Sequence, residues 1–239
     1  MGKNPFYAQL WAQRASAELG AAKRFKSIHN RLEEQASHRS ILQLVSDAIA
    51  DEENHALLCA KTAKNLGHKS GFIDNKEYSP PGNPPSWNTL NEPKKLLLDI
   101  VLMSCVVESI NANLMNTLFI NSKDYPVNEL IRKILKDEIK HGKIGWAYLK
   151  LQNKNQDLSF VSENLEEMLD LAVRDELFND NDNEHFENSF EFGILPKEDR
   201  IEQFCDSLEN LVQPGLEHFG IESSTMTYWL KSKAPGQFT

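Results

Sequence analysis

Two segments of this 239-residue chain repeat one short pattern. Asp51-Glu52-Glu53-Asn54-His55 and Asp137-Glu138-Ile139-Lys140-His141 both read D-E-x-x-H. Residues three apart in a helix share a face, so each Glu and His can reach one point while the residues between them point elsewhere. A lone glutamate precedes each copy at a comparable distance, Glu18 before the first and Glu108 before the second. Four carboxylates and two imidazoles are natural donors for a pair of divalent cations. One D-E-x-x-H in a helix-rich chain says little, but two copies with matched upstream glutamates form an internal repeat that suits such a site.

The elements that position these residues follow from the apolar periodicity. Residues 6–36 read as one helix, with Trp11, Glu18, Phe25 and Leu32 recurring every seven positions. A break near Ser37, a good helix cap, leads into a second helix over 38–66. Its stripe is Ile41, Val45, Ala48, Glu52, His55, Cys59, Ala63 and Leu66, and Gly67 should stop it. A third helix runs from Pro93 to Asn121 on Leu97, Val101, Ser104, Glu108, Asn111, Met115 and Leu118. Lys123-Asp124-Tyr125-Pro126 turns the chain into a fourth, ending near Leu151, on Val127, Ile131, Ile134, Glu138, His141, Gly145 and Tyr148. Six ionisable groups therefore fall inside apolar stripes, where they would be very costly without partners. The competing reading places them on solvated flanks of stripes drawn too generously.

Axial level supports convergence. In an antiparallel hairpin, residues equidistant from the turn lie level. Glu18 and His55 are centred near the break at Ser37, and Glu108 and His141 near Asp124. Between the hairpins, residues 68–92 carry Gly71, Pro80, Pro81, Gly82, Pro84 and Pro85 and read as extended loop. Such a loop reaches roughly 80 Å, twice the roughly 40 Å of the helices. It can cross over and leave helices two and three parallel.

The predicted architecture is all-α: a four-helix bundle over residues 1–155, with a long crossover, and a helical extension over 156–239 packed on it. Amphipathic segments near 160–179 and 198–212 supply the extension, the latter stopping before Pro214, with the polar stretch Asn179–Gly193 irregular between them. The net charge of −9 gives no general footprint for nucleic acid or an anionic membrane. No run of 18 apolar residues suggests a membrane span, and the N-terminus lacks signal-peptide features. Three scattered cysteines, Cys59, Cys105 and Cys205, argue against a disulfide framework and for a cytoplasmic setting.

Over about residues 6–151 the sequence resembles the ferritin-like di-iron carboxylate proteins, in which two helices each give a Glu and two give Glu-x-x-His. The resemblance implies a ferritin-like bundle holding two iron ions, with manganese or a mixed pair possible. Glu18 and Glu108 resemble the terminal carboxylates, Glu52 and Glu138 the bridging ones, and His55 and His141 the nitrogen ligands. Asp51 and Asp137 resemble outer acceptors that orient the ligand histidines. Two Glu-x-x-His motifs are closer to rubrerythrins, bacterioferritins, reductase small subunits, desaturases and di-iron monooxygenases than to storage ferritins. No CxxC pair exists for a rubredoxin-like module. The doublet is also similar to that of arylamine N-oxygenases, but Ile134 stands where those carry an extra histidine. Cys59 occupies the place of the radical tyrosine in reductase small subunits, which argues against that role.

The leading functional expectation is a non-haem di-iron oxidase or oxygenase. It would act with dioxygen or peroxide, a small-molecule substrate and an external electron donor, with a homodimer possible. A ferroxidase or peroxide-scavenging protein, and a non-enzymatic metal-stabilised scaffold, are the alternatives. Ser104 and Asn111 can hydrogen-bond a ligand carboxylate or simply pack. Gly145 can make room for a ligand or for a neighbouring helix. Tyr7, Trp146 and Tyr148 can pass electrons, although aromatic packing is the simpler role. His29, His38, His68, His185 and His218 read as surface residues. Asp175–Asn179 resembles the start of a third motif but lacks its histidine.

Overall fold

A computed structural model describes residues 4–73, 84–154, 156–173 and 189–233, and all of the regular structure among them is helical. The first helix, α1, spans Pro5–Glu34. Asn4 caps it, its side-chain oxygen accepting from the Tyr7 N–H at 3.4 Å, and Pro5 fits the first position, where no donor is needed. The second, α2, spans Arg39–Leu66 and is capped by His38, not by Ser37. The reason is local: the Ser37 N–H bonds back to the Leu32 carbonyl at 2.9 Å and closes α1, with Ala36 left-handed at φ 48°. Gly67, at φ 112°, ends α2 as expected.

Segment 68–92 is less extended than its proline content suggested. Pro85–Thr89 forms a 3-10 turn that buries Trp87 completely. Residues 74–83 lie outside the described residues.

The third helical run, α3, covers Glu92–Asn121. Asn91 caps it, accepting from the Lys94 N–H at 3.1 Å. The expected uninterrupted helix is instead interrupted by a π-helical stretch, Val101–Val107, immediately before Glu108. By length and composition α3 can cross a membrane, with a mean hydropathy of 1.5 in its best window, but 78% of that window is buried inside the fold. The fourth helix, α4, spans Tyr125–Gln152 behind an Asp124 cap.

Side-chain pairs give the directions. Arg31 meets Glu92 and Arg24 meets Asp99, so α1 and α3 are antiparallel. Asp51 meets His141 and Asp137 meets His55, so α2 and α4 are antiparallel. The short connections make α1/α2 and α3/α4 antiparallel too. Helices α2 and α3 therefore run parallel, as the crossover expectation required.

The C-terminal part contributes α5 (Ser159–Ser162), α6 (Leu165–Val173), a 3-10 turn at Ser189–Phe192, α7 (Lys197–Ser207) and α8 (Ser224–Lys233). Helix α7 does not stop before Pro214. It continues through a π stretch, Leu208–Val212, into Gln213–His218. Proline enters the first turn after the π stretch, where its missing N–H is tolerated. Met168, Phe204, Leu208, Leu216 and Trp229 share one apolar cluster with Phe25, Leu97 and Ile144 of the bundle.

Gly145 has a packing role. A Cβ there would overlap Cys105 Sγ and stand 2.9 Å from the Cys105 backbone nitrogen, inside the π stretch of α3. Gly145→Ala should therefore lower stability by about 1–3 kcal/mol through overpacking, more than the propensity gain of about 1 kcal/mol returns. Chemical denaturation of the variant checks this. A variant as stable as the wild type would show that the π stretch yields freely.

Candidate metal centre

Two apolar clusters fill the bundle, and the six singled-out residues lie where they meet. Ala15, Cys59, Met115 and Ile134 belong to one cluster. Phe25, Ala48, Val106 and Ile144 belong to the other. Along each of the four helices, one residue from each set flanks the Glu or Glu–His positions. Glu52, His55, Glu108, Glu138 and His141 are all buried. The Glu18 side chain is 12% exposed.

The structure brings all six together, in two overlapping groups. Glu18, Glu52, His55 and Glu138 place one ligand atom each within 4.8 Å of one another, as do Glu52, Glu108, Glu138 and His141. Glu52 and Glu138 belong to both. His55 Nδ1 lies 3.8 Å from Glu18, 3.9 Å from Glu52 and 3.6 Å from Glu138. His141 Nδ1 lies 2.8 Å from Glu52 and 3.6 Å from Glu138. Donors each about 2.1 Å from a shared ion stand roughly 3 to 4 Å apart, so these separations suit a metal ion between them.

Hydrogen-bond accounting points the same way. Both Glu52 oxygens, one oxygen each of Glu108 and Glu138, and the Nδ1 atoms of His55 and His141 are buried without a hydrogen-bond partner. Orphaned polar atoms of this kind carry a large desolvation cost, yet here they converge. Two cations, one in each group, would satisfy these six atoms between them.

The aspartates act across the bundle. His55 Nε2 lies 3.4 Å from Asp137 on α4, and His141 Nε2 lies 3.4 Å from Asp51 on α2. An aspartate one position before the ligand glutamate is rotated about 100° off the stripe, so it faces the neighbouring helix and pairs with that helix's histidine. With Nε2–H donated to the aspartate, each ring turns its Nδ1 lone pair toward the carboxylates. Lys140 Nζ in turn holds Asp137 at 2.6 Å.

Without a cation, three of the four carboxyls hold their protons more tightly than a free carboxyl does. Burial pushes Glu52 and Glu108 well above the usual carboxylate range, and repulsion from Glu138 adds to it in both. Burial raises Glu138 to about 8. Burial also pushes Glu18 upward, but its close contact with His55 and Glu52 and the charges of His55 and Arg14 outweigh that and leave it low. Burial lowers His55, and contact with Glu18 and Asp137 reverses the shift, so its net pKa is raised.

The other candidates do not join the cluster. Ser104 Oγ is buried with no partner, and Asn111 is half-buried. Cys59, Cys105 and Cys205 are buried free thiols. Burial and the charge of Glu18 raise the Cys59 pKa well above the usual thiol range. Tyr7 stacks on Phe192 with centroids 4.2 Å apart, and Trp146 on Phe219 at 6.5 Å, while Tyr148 is buried. His38 and His218 are exposed, whereas His29 and His68 are half-buried. The His68 ring closes a turn by accepting from the Gly71 N–H at 2.9 Å. His185 and the Asp175–Asn179 segment lie outside the described residues.

Three features were not foreseen. The Phe25 ring meets His141 edge-on with centroids 5.8 Å apart. Buried Asp99 is held by Arg24 at 2.7 Å and Arg31 at 2.8 Å, tying α1 to α3. A cleft of about 280 Å³, lined by Leu44, Asp47, Asp51, Lys140, His141 and Ile144 among others, opens on the outer side of His141. The seven-residue spacing of Arg24 and Arg31 on one face of α1 was the available signal for the second.

Neither a protein-family model nor a curated protein matches this sequence.

Proposed function

We propose that this protein is a ferritin-like di-iron oxidoreductase that activates dioxygen against a small-molecule substrate. The observation that carries the reading is the sharing of Glu52 and Glu138 between two ligand groups, inside a layer closed above and below by apolar clusters. A single-ion site has no use for two shared carboxylates. Glu18, Glu52, His55 and Glu138 would hold one ion, and Glu52, Glu108, Glu138 and His141 the other.

Iron bound here would supply the electrons for reducing dioxygen, and an external donor would restore them. The protein's own part is positional and electrostatic. Asp51 and Asp137 hold the imidazoles in one tautomer and orientation. Glu52 and Glu138, which belong to both ligand groups, would offer carboxylate to either ion. The surrounding side chains, among them Trp11, Phe25, Ile134 and Ile144, exclude water from the layer and so protect an oxidising centre from side reactions.

Anaerobic loading with ferrous ion, followed by exposure to oxygen in a closed electrode cell, tests the reading. Oxygen uptake should scale with iron bound at the centre and stop when that iron is oxidised unless a reductant is added. Uptake that continues with iron supplied far beyond the site would favour iron handling instead. Bound metal with no oxygen uptake would leave a metal-stabilised scaffold.

A further inference from the structure

We propose that Arg14 is a ligand-binding residue, anchoring the carboxylate group of an organic substrate at the Glu18–His55 side of the centre. The inference rests on the di-metal reading above and deepens it. Arg14 lies on α1 one turn before Glu18, so the two side chains share a face. Its guanidinium packs over the Trp11 ring, 5.4 Å from the ring centroid. Trp11 is itself fully buried and fixed, its indole N–H donating to the Phe192 carbonyl at 2.7 Å. The cation is thus mounted on an immobile platform.

Nη1 of Arg14 is buried and has no hydrogen-bond partner. An arginine nitrogen withdrawn from water and left without an acceptor is costly, and the Trp11 ring face offers it no acceptor oxygen.

Charge accounting points to an anion. Two divalent ions would neutralise the four glutamates. Asp137, behind His55, is already paired with Lys140 at 2.6 Å. Asp51 lies on the other side of the centre, against His141, so on the Glu18–His55 side the charge of Arg14 faces only Glu18 and Glu138, which the ions would neutralise. A carboxylate on the incoming ligand would supply both the missing charge and the missing acceptor, in the planar geometry that a guanidinium matches best. The bland alternative makes Arg14 a counter-charge for the metal-free glutamates. That role ends once metal binds and requires no anion.

Cobalt(II) serves as a spectroscopic probe in the full-length protein. Metal content is measured first, and the visible absorption is then followed while acetate, benzoate or azide is added. The expected result is saturable binding of the carboxylates by the wild type. Arg14→Gln should weaken it by at least about tenfold, and Arg14→Lys should recover part of the loss, with metal content unchanged in both. Wild-type affinity in Arg14→Gln, no saturable carboxylate binding by the wild type, or binding of azide alone would each overturn the proposal. A wild-type protein that takes up no metal would instead bring down the di-metal reading, and this inference with it. Circular dichroism melts of both variants confirm that the comparison is made between folded proteins.

Discussion

Glu138→Gln should leave the protein unable to hold either metal ion, whereas Glu108→Gln should remove only one. The two variants make the same chemical change, a buried carboxyl replaced by an amide of nearly the same shape. Both positions are buried, and burial holds both carboxyls above their usual pKa. Neither substitution opens a cavity, and each relieves the metal-free protein of one awkward acid. What differs is membership. Glu138 contributes to both ligand groups, while Glu108 contributes only to the one containing His141. Loss of an outer-sphere partner alone typically costs 10- to 100-fold in metal affinity, so loss of a direct anionic donor should cost at least about 100-fold at each ion it serves. Elemental analysis after anaerobic loading and gel filtration reads the result directly. Glu52→Gln should behave like Glu138→Gln, and Glu18→Gln like Glu108→Gln. Equal losses in all four variants would remove the basis for a shared-carboxylate centre.

The site was legible in the sequence because its constraints are periodic. A Glu and a His three residues apart must share a helix face, and a hairpin must place residues equidistant from its turn at one level. Those two rules bring Glu18 level with Glu52 and His55, and Glu108 level with Glu138 and His141; joining the two hairpins around one centre came from the internal repeat and the resemblance. The cross-pairing of Asp51 with His141 and of Asp137 with His55 was not legible, because which neighbour an off-stripe residue faces depends on helix order around the bundle. Arg14 was missed for a different reason. It sits three residues after Trp11 and four before Glu18, so it belongs to their face, but a long cationic side chain ordinarily reaches out to water. Only the coordinates show its Nη1 held inside.

In the fold, the elements with strong local signals came out close to their expected bounds. Gly67 and the Asp124–Pro126 turn did so, since a left-handed glycine and a capped proline turn are decided within a few residues. The π stretches at Val101–Val107 and Leu208–Val212 were invisible. A π turn shifts hydrogen bonding by one residue to suit tertiary packing, and no residue type announces it. Here the first stretch lies against Gly145, where Cys105 approaches too closely for any side chain. Trp87 was likewise hidden in a stretch that reads as loop, since a single anchoring aromatic has no period to detect.

Metal should stabilise the protein increasingly as pH rises from about 5 to about 8, because the chelated protein loses stability over that same range. The sign follows from proton binding. Glu52, Glu108 and Glu138 all have folded-state pKa values above their unfolded ones, with Glu138 at about 8. Below about pH 4.5 these carboxyls are protonated in both states and impose no penalty. Above it the unfolded chain ionises freely while the fold keeps its protons, so stability declines until the folded groups titrate as well. His55, also raised, adds to the decline as pH passes its folded value. Glu18 and Asp137, both lowered, contribute stability above their unfolded values and lose it only as pH falls through their folded ones. They therefore shape the acid limb and leave the neutral range to the other four. A divalent cation reverses the trend by taking the place of the retained protons, and its affinity rises as they become easier to displace. At a hundredfold excess over Kd, one ion should add about 2.7 kcal/mol, or roughly 5–10 °C in Tm for a chain of this size. Melting curves with chelator and with ferrous or manganous ion, taken anaerobically at pH 5, 6.5 and 8, should diverge toward higher pH. Parallel curves, or a chelated protein most stable at pH 8, would mean that the four glutamates do not face one another in solution.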